Sequence, residues 1–254
     1  MGPVAIVKVG SAASVTGPDQ PDFETWIADG MGLMGSEVMV FQPHLDEVLP
    51  DPSALTAVVV TGSAAMVTDR LAWSERTAEW LQKAVPTGIP ILGICYGHQL
   101  LAHALGGSVD YNPRGREIGT VEIHLNPAGC ADPLLGELPA HFLAQTSHSQ
   151  SVVTLPEGAR LLASNGLEPH HVFAFGASCW GVQFHPEFPA RFTLALINHR
   201  EKELLAEGLD VAALRAGIRE TPGALSLLKR FSKIRESHRL TCGRSILSTK
   251  ECAE

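Results

Sequence analysis

Short apolar segments alternate with segments of helical periodicity along the first half of the chain. Four nearly continuous apolar runs predict strands that are covered on both faces, at residues 4–9, 36–41, 54–61 and 89–94. Between them, apolar side chains recur every three or four positions, which predicts helices at residues 23–34, 71–84 and 97–105. This order of strands and helices favours an α/β fold whose parallel sheet carries helices on both faces. Such sheets bind ligands at the carboxyl ends of their strands.

The pattern changes after residue 107. Shorter strand-like segments predict added hairpins and edge strands, at residues 121–125, 141–145, 152–155, 160–164, 172–175 and 179–184. Beyond residue 188 the helical period returns, and capping residues predict helix starts at Asp210 and at Thr221. We expect one domain over residues 1–200, a helical extension at 201–240 that packs on the same domain, and a disordered tail at 241–254. The alternative is that the apolar face of the last helix contacts another chain.

Composition and charge exclude several classes of protein. The 254 residues are 45% hydrophobic and carry a formal charge of −8, which supports a sizeable core and argues against nucleic acid or an anionic membrane as the main partner. A charged leader and a stretch of 18 apolar residues are both absent from the sequence, so we expect no signal peptide, no membrane span and a cytoplasmic location. The five cysteines include no Cys-x-x-Cys pair, and we expect reduced thiols and no metal site.

The most informative segment is residues 90–101, where a predicted buried strand stops at a Gly-x-Cys-x-Gly turn and continues as a helix. Such a turn strains the backbone of Cys95 and projects its side chain outward, while Gly93 and Gly97 let strand and helix pass closely. The start of the helix places amide groups and partial positive charge beside the sulfur. Because these favour the thiolate, which is the nucleophilic form, we predict a reactive Cys95 at neutral pH.

A base for this cysteine is predicted at His185. Side chains two residues apart in an extended segment point to the same face, and Pro186 stiffens the spacing between His185 and Glu187. The carboxylate is then expected to accept a hydrogen bond from one imidazole nitrogen and to leave the other facing the thiol. Taken alone, the pair also fits a structural histidine at a strand end beside a surface carboxylate.

A loop of small residues follows the predicted strand at 54–61. Loops of this kind expose backbone amides, and we expect an amide of Gly62 or Ser63 to converge with that of Tyr96 on an oxyanion. A plain turn is the alternative. Arg116 and Glu117 are expected to border the mouth of the site or to form an exposed ion pair, and His170 and His171 to be exposed in a loop.

Together these segments resemble the class I, triad-type glutamine amidotransferases, and in particular stand-alone proteins similar to the glutaminase domain of GMP synthase. The matching motifs, in the family's order, are TGS at 61–63, LGICYGHQ at 92–99, GREIG at 115–119, TSHSQSV at 146–152 and GVQFHPE at 181–187. The resemblance spans roughly residues 4–200. It implies a mostly parallel, doubly wound sheet of the flavodoxin-like type, with added antiparallel strands and C-terminal helices.

The resemblance also implies roles for individual residues and glutamine as the substrate. Cys95 is then the nucleophile, His185 the general base and acid, and Glu187 the residue that orients the imidazole. The amides of Ser63 and Tyr96 are then the oxyanion donors. The residues implied in substrate binding are Gly62, Gln99, Ser149 and Gln150. Many relatives have glycine in place of Ser63, and Gly and Asp in place of Ser149 and Gln150, so these positions leave the oxyanion site and the specificity open. No cofactor is expected.

Three functions remain open at this point. The first is hydrolysis of the glutamine amide through a cysteinyl thioester, with the ammonia passed to a separate synthase or acceptor partner, since no ATP-binding domain is recognised in the chain. The second is a free-standing γ-glutamyl peptidase or hydrolase that acts on a small γ-glutamyl conjugate. The third is a non-catalytic binding protein, against which the intact Cys95, His185 and Glu187 argue. The sequence identifies neither the acceptor nor the oligomeric state.

Overall fold

A computed structural model describes residues 2–248 of the chain, and for residue 239 and residues 241–248 it describes the backbone alone. The strands are β1 Val4–Val7, β2 Val38–Phe41, β3 Ala57–Val60, β4 Ile91–Ile94, β5 Ser108–Tyr111, β6 Glu117–Leu125, β7 His141–His148, β8 Gln150–Thr154, β9 Arg160–Ser164, β10 Val172–Phe175 and β11 Cys179–Val182. The helices are α1 Ala13–Thr16, α2 Phe23–Met31, α3 Ala72–Ala84, α4 Tyr96–Ala104, α5 Pro127–Cys130, α6 Ala190–His199, α7 Glu201–Ala206, α8 Val211–Gly217 and α9 Pro222–Ser248.

One large mixed sheet organises the described residues. Its strand order is β2-β1-β3-β4-β11-β10-β9-β6-β7, while β5 and β8 form a separate pair. The strands from β2 to β11 are parallel to one another, and those from β11 to β7 pair in antiparallel fashion. The predicted α/β fold, a mostly parallel, doubly wound sheet with added antiparallel strands and C-terminal helices, is therefore confirmed.

The central strands are apolar because both faces of the sheet are covered. Successive residues of a strand point to opposite faces, so Val4 and Ile6 pack with α2 and α9, while Ala5 and Val7 pack with α3 and α4. Every residue of β1, β3, β4 and β11 is buried. A third apolar cluster joins α6 and α8 to the segment that follows β11.

The strand predictions after residue 107 are wrong in several places. They put β11 among added hairpins and edge strands, although it lies inside the sheet and parallel to β4, and they end β7 at residue 145 although it continues to His148. They miss β5, and they begin β6 at residue 121 although it starts at Glu117. Glu117 is only 5% exposed, and a buried charged residue breaks the apolar pattern on which strand prediction relies. The missed start of β6 lies beside the functional site.

The last helix lies along α2 and contributes to the main core. Leu227, Leu228 and Phe231 are buried in the cluster that contains Ile27 and Met31. The division of the chain at residues 200 and 240 stays a prediction. Helix α9 continues to Ser248, and the rest of the predicted tail, residues 249–254, lies outside the described residues. None of the described helices combines the length and the apolar composition needed to cross a bilayer.

Replacement of Phe231 by alanine should destabilise the whole domain. The ring is fully buried and packs edge-on against Trp180 of β11, with ring centroids 6.3 Å apart. We expect Phe231→Ala to lower the free energy of unfolding in urea by about 3–5 kcal/mol in one cooperative transition. Leu225→Ala, on the same helix but 44% exposed, should cost less than about 1 kcal/mol. Equal small effects of both variants would show that α9 is not part of the domain core.

Candidate active site

The turn after β4 presents Cys95 in a strained backbone conformation. Cys95 has φ 50° and ψ −99° and occupies the position just before the first residue of α4. Such a conformation costs about 1–3 kcal/mol for a residue with a side chain, so the surrounding structure must hold it. The close approach of α4 to the sheet does this, because a Cβ on Gly97 would lie 2.3 Å from the carbonyl oxygen of Val60.

Parallel pairing of β4 and β11 brings the cysteine and the histidine together. Ile94 pairs with Val182, and the amide of Cys95 donates to the carbonyl oxygen of Val182 at 2.8 Å. His185 follows three residues later, where its amide donates to the carbonyl oxygen of Gln145 at 2.8 Å. The side chains of Cys95 and His185, ninety positions apart, are thereby close enough for the charge of each to shift the pKa of the other, and Sγ of Cys95 lies 3.8 Å from the carbonyl oxygen of Ser147.

Glu187 completes the arrangement. Its Oε1 lies 2.8 Å from Nδ1 of His185, which leaves Nε2 for the cysteine side. Cys95, His185 and Glu187 are 5%, 3% and 3% exposed, so all three are buried at the carboxyl ends of β4 and β11. The three side chains that the sequence predicts as nucleophile, base and orienting carboxylate therefore lie together, and their roles stay predictions.

Electrostatics in this site favour a thiolate beside an imidazolium. Burial alone disfavours the imidazolium of His185 as well as the thiolate of Cys95. At His185, the negative charges of Glu187 and of Cys95 outweigh burial and raise the pKa to about 10. Burial likewise opposes the thiolate, but the positive charges of His185 and His148 and the hydrogen bond from His185 hold the pKa of Cys95 below its ordinary value. At Cys179, burial raises the pKa of the thiol to about 11. The two buried cysteines therefore differ because only Cys95 lies beside an imidazolium.

The imidazole of His185 stacks on Phe188 and lies close to Gly62. Phe188 stacks on it with ring centroids 3.7 Å apart and an angle of 11° between the planes. Near the ring, a Cβ on Gly62 would lie 2.7 Å from its Cε1 atom, so a larger residue does not fit there. Gly62 therefore has a steric role at the histidine, in addition to the role in substrate binding that the sequence predicts.

The other predicted residues surround the sulfur. Ser63, Tyr96, Gln99, Ser149 and Gln150 all line one small cavity together with Cys95. Arg116, His148 and Arg200 line the same cavity, so its wall carries positive charge.

Two of the predicted substrate-binding side chains already have partners within the protein. The amide nitrogen of Gln99 donates to the carbonyl oxygen of Gln150 at 2.8 Å and to Oε1 of Gln183 at 2.9 Å. The amide group of Gln150 accepts from the backbone of Val67 and donates to the hydroxyl of Thr68. These contacts hold the loops that form the cavity. The hydroxyl of Ser149, in contrast, is without a hydrogen-bond partner among the described residues.

A second buried group of charges lies behind the cavity, and the sequence analysis missed it. Glu117 is not in an exposed ion pair: its Oε2 lies 3.1 Å from Nε2 of His148 and 3.2 Å from Nε2 of His171. His171 is 0% exposed, so the expectation of an exposed loop histidine is wrong. Arg116 instead makes a bidentate ion pair with Glu207.

This second group supplies positive charge near the sulfur of Cys95. Although burial opposes the charges of Glu117 and His148, the hydrogen bond from His148 and the nearby ring of His171 hold the pKa of Glu117 well below its usual range, and Glu117 raises the pKa of His148. The His148 imidazolium in turn lowers the pKa of Cys95. In the sequence, the polar run around His148 is the signal that could have indicated this group. The partners of His148 could not be identified, because Glu117 lies on β6 and His171 in the segment before β10.

Known proteins resemble this chain in sequence and in fold. The sequence profile described as "Glutamine amidotransferase class-I" matches residues 20–194. The glutamine-hydrolyzing GMP synthase of Aeropyrum pernix is 31% identical over 205 residues, which cover 71% of this chain and 38% of that protein. The glutamine-hydrolyzing GMP synthase of Porphyromonas gingivalis is 33% identical over 168 residues, which cover 65% of this chain and 30% of that protein. The chain thus spans about a third of the length of the curated relatives that it matches.

Among solved structures, a glutamine amidotransferase from Thermotoga maritima has a similar fold, with a TM-score of 0.73 and 21% identity over 92% of this chain and 98% of that chain. At this level of identity the likeness shows the fold alone, and it matches the mixed sheet described above.

Replacement of Gly62 by alanine should move the imidazole of His185. The added methyl group would lie 2.7 Å from the Cε1 atom, so either the ring or the loop must shift. A displacement of about 1 Å at a catalytic group can cost about 10²-fold, and we expect alkylation of Cys95 by iodoacetamide at pH 7 to slow by about 10–100-fold.

Gly223→Ala is the matched control, because a Cβ at that position meets no atom within 4 Å, and it should alkylate at the wild-type rate. Intact-mass spectrometry with peptide mapping measures the rate at Cys95. An unchanged rate in folded Gly62→Ala would contradict the steric role of Gly62.

Proposed function

The chain belongs to the class-I glutamine amidotransferase family, and we propose that it hydrolyses the side-chain amide of glutamine to glutamate and ammonia. The observation that carries this proposal is the buried contact of Cys95 with His185, which is oriented in turn by Glu187. A thiolate beside an imidazolium is ready to attack a carboxamide carbon and to protonate the nitrogen that leaves.

The proposed reaction proceeds in two steps. The Cys95 thiolate forms a bond to the amide carbon, the carbon–nitrogen bond breaks, and His185 gives its proton to the nitrogen, which leaves as ammonia. The neutral imidazole then takes a proton from water, whose oxygen attacks the thioester and releases glutamate and the thiolate. Glu187 keeps the imidazole in the required orientation and tautomer through both steps.

Each step places negative charge on the former carbonyl oxygen. The backbone amides of Tyr96 and Ser63 are the proposed donors, because both residues line the cavity at the sulfur. Tyr96 is the first residue of α4, and the first N–H groups of a helix have no partner within the helix. Loss of one such donor typically costs about 10²–10³-fold in rate.

The amino-acid end of the substrate is proposed to bind along the positively charged wall. Both Arg116 and Arg200 line the cavity, but Arg116 is already paired with both carboxylate oxygens of Glu207, so Arg200 is the side chain proposed to bind the carboxylate of an amino acid. Gly62 packs against His185, whereas Gln99 and Gln150 hold the loops in place. The hydroxyl oxygen of Ser149 is buried without a hydrogen-bond partner among the described residues, and it is proposed to bond to the substrate.

The ammonia is proposed to pass to a separate synthase or acceptor partner. Support comes from the relatives, which are named as GMP synthases, of which the chain spans about a third. A cytoplasmic location also stays a prediction. Hydrolysis of a small γ-glutamyl conjugate is the competing function, and direct comparison of substrates separates the two.

We expect the purified chain to release ammonia from glutamine, and Cys95→Ser to lower kcat/KM by about 10³-fold or more, because the thioester cannot form. The matched control is Cys179→Ala, which removes another buried thiol whose pKa is raised, and which should retain activity. The assay runs beside a panel of γ-glutamyl peptides, with a diazoketone analogue of glutamine as an active-site label.

Adduct formation at Cys95 and the highest kcat/KM on glutamine would support the proposal. A γ-glutamyl peptide turned over at tenfold higher kcat/KM than glutamine would replace it with the peptidase function. Absence of both adduct and turnover would indicate a non-catalytic protein.

A further inference from the structure

Three side chains of types that can ligate a metal ion lie together on the exposed face of the β6–β7 pair, away from Cys95. Glu122 and His124 are two residues apart on β6 and so point to the same face, while Ile123 between them is buried. His124 pairs directly with His141 of β7. All three of these side chains are exposed, and β7 is the edge strand of the sheet.

Their ligand atoms are already close. The nitrogen and oxygen atoms that these three residues offer all lie within 4.8 Å of one another. Nε2 of His124 is 3.0 Å from Oε2 of Glu122, and the rings of His124 and His141 have centroids 4.5 Å apart. Around a tetrahedral ion, ligand atoms at about 2.0–2.2 Å from the metal are separated by roughly 3.4 Å. Small rotations of exposed side chains therefore suffice to bring all three to one ion.

We propose that Glu122, His124 and His141 form a surface site for a borderline divalent transition metal such as Zn²⁺, Ni²⁺ or Cu²⁺. Two imidazoles and one carboxylate match the preference of these ions, whereas Mg²⁺ and Ca²⁺ prefer all-oxygen sites. Three protein ligands leave a coordination position for water or for a side chain of another molecule. The site is independent of the proposed hydrolysis at Cys95.

Strand pairing and core packing hold the backbone of the three residues in place. β6 and β7 are paired without interruption from Glu117 opposite His148 to His124 opposite His141. Ile123 and Phe142, which alternate with the metal-binding residues, are anchored in the main core. Binding therefore costs the rotamer freedom of three side chains and requires no rearrangement of the chain.

The sequence alone did not indicate this site. Glu122 and His124 are an ordinary pair on an exposed strand face, and His141 is seventeen residues from His124. The contact depends on the register of the hairpin, which places His124 and His141 opposite each other.

The test is isothermal titration of the full chain with Ni²⁺ in a buffer that does not chelate metals. Iodoacetamide treatment beforehand blocks the accessible cysteines of the chain, with Cys95 and the exposed Cys130 among them, whose sulfurs would otherwise compete for the ion. We expect one equivalent to bind. His124→Asn and His141→Asn should each weaken binding at least tenfold, and Glu122→Gln should weaken it several-fold.

His199→Asn, which changes an exposed histidine on α6, is the matched control and should bind as the wild type does. Because the ion binds the folded chain, excess Ni²⁺ should also raise the thermal midpoint of the wild type, and the double variant His124→Asn/His141→Asn should lose this shift while melting normally without metal. Binding by the double variant as tight as that of the wild type, or an absence of saturable binding by the wild type, would overturn the proposal.

Discussion

The parallel pairing of β4 with β11 is the constraint on which the site depends. It joins two segments that are ninety residues apart and sets Ile94 beside Val182, so that the residues following each strand emerge at the same edge of the sheet. Cys95 turns outward there and His185 reaches it from the neighbouring strand. Any change that shifts this register by one residue would turn the side chains to the opposite face and separate the thiol from the imidazole.

The pairing of β4 with β11 brings together charged groups that would be unfavourable if each were buried alone. A buried thiolate and a buried imidazolium each carry a desolvation penalty, and their mutual attraction offsets it only with good geometry and further partners. Glu187 is such a partner for His185, and His148, itself held by Glu117, adds positive charge near the sulfur. Two carboxylates therefore stabilise two imidazoliums around one thiolate, in a network that reaches from β4 to β6.

The sequence predicted those features of the site that depend on residues close together in the chain. The Gly-x-Cys-x-Gly turn and the His-x-Glu spacing each concern a few neighbouring residues, and both adopt the expected conformations. The Glu117–His148–His171 group and the cross-strand contact of His124 with His141 were not predicted, because each requires knowing which distant strands pair and in which register. The buried Glu117 also hid the start of β6, since its polarity breaks the apolar pattern.

The most direct test of the central claim is an NMR pH titration of the His185 imidazole. The account predicts that the ring is protonated at neutral pH, with a pKa of about 10 in the native protein. Alkylation of Cys95 removes the negative sulfur and should lower that midpoint markedly. A His185 ring that titrates near the ordinary value of about 6.5, with or without alkylation of Cys95, would contradict the account.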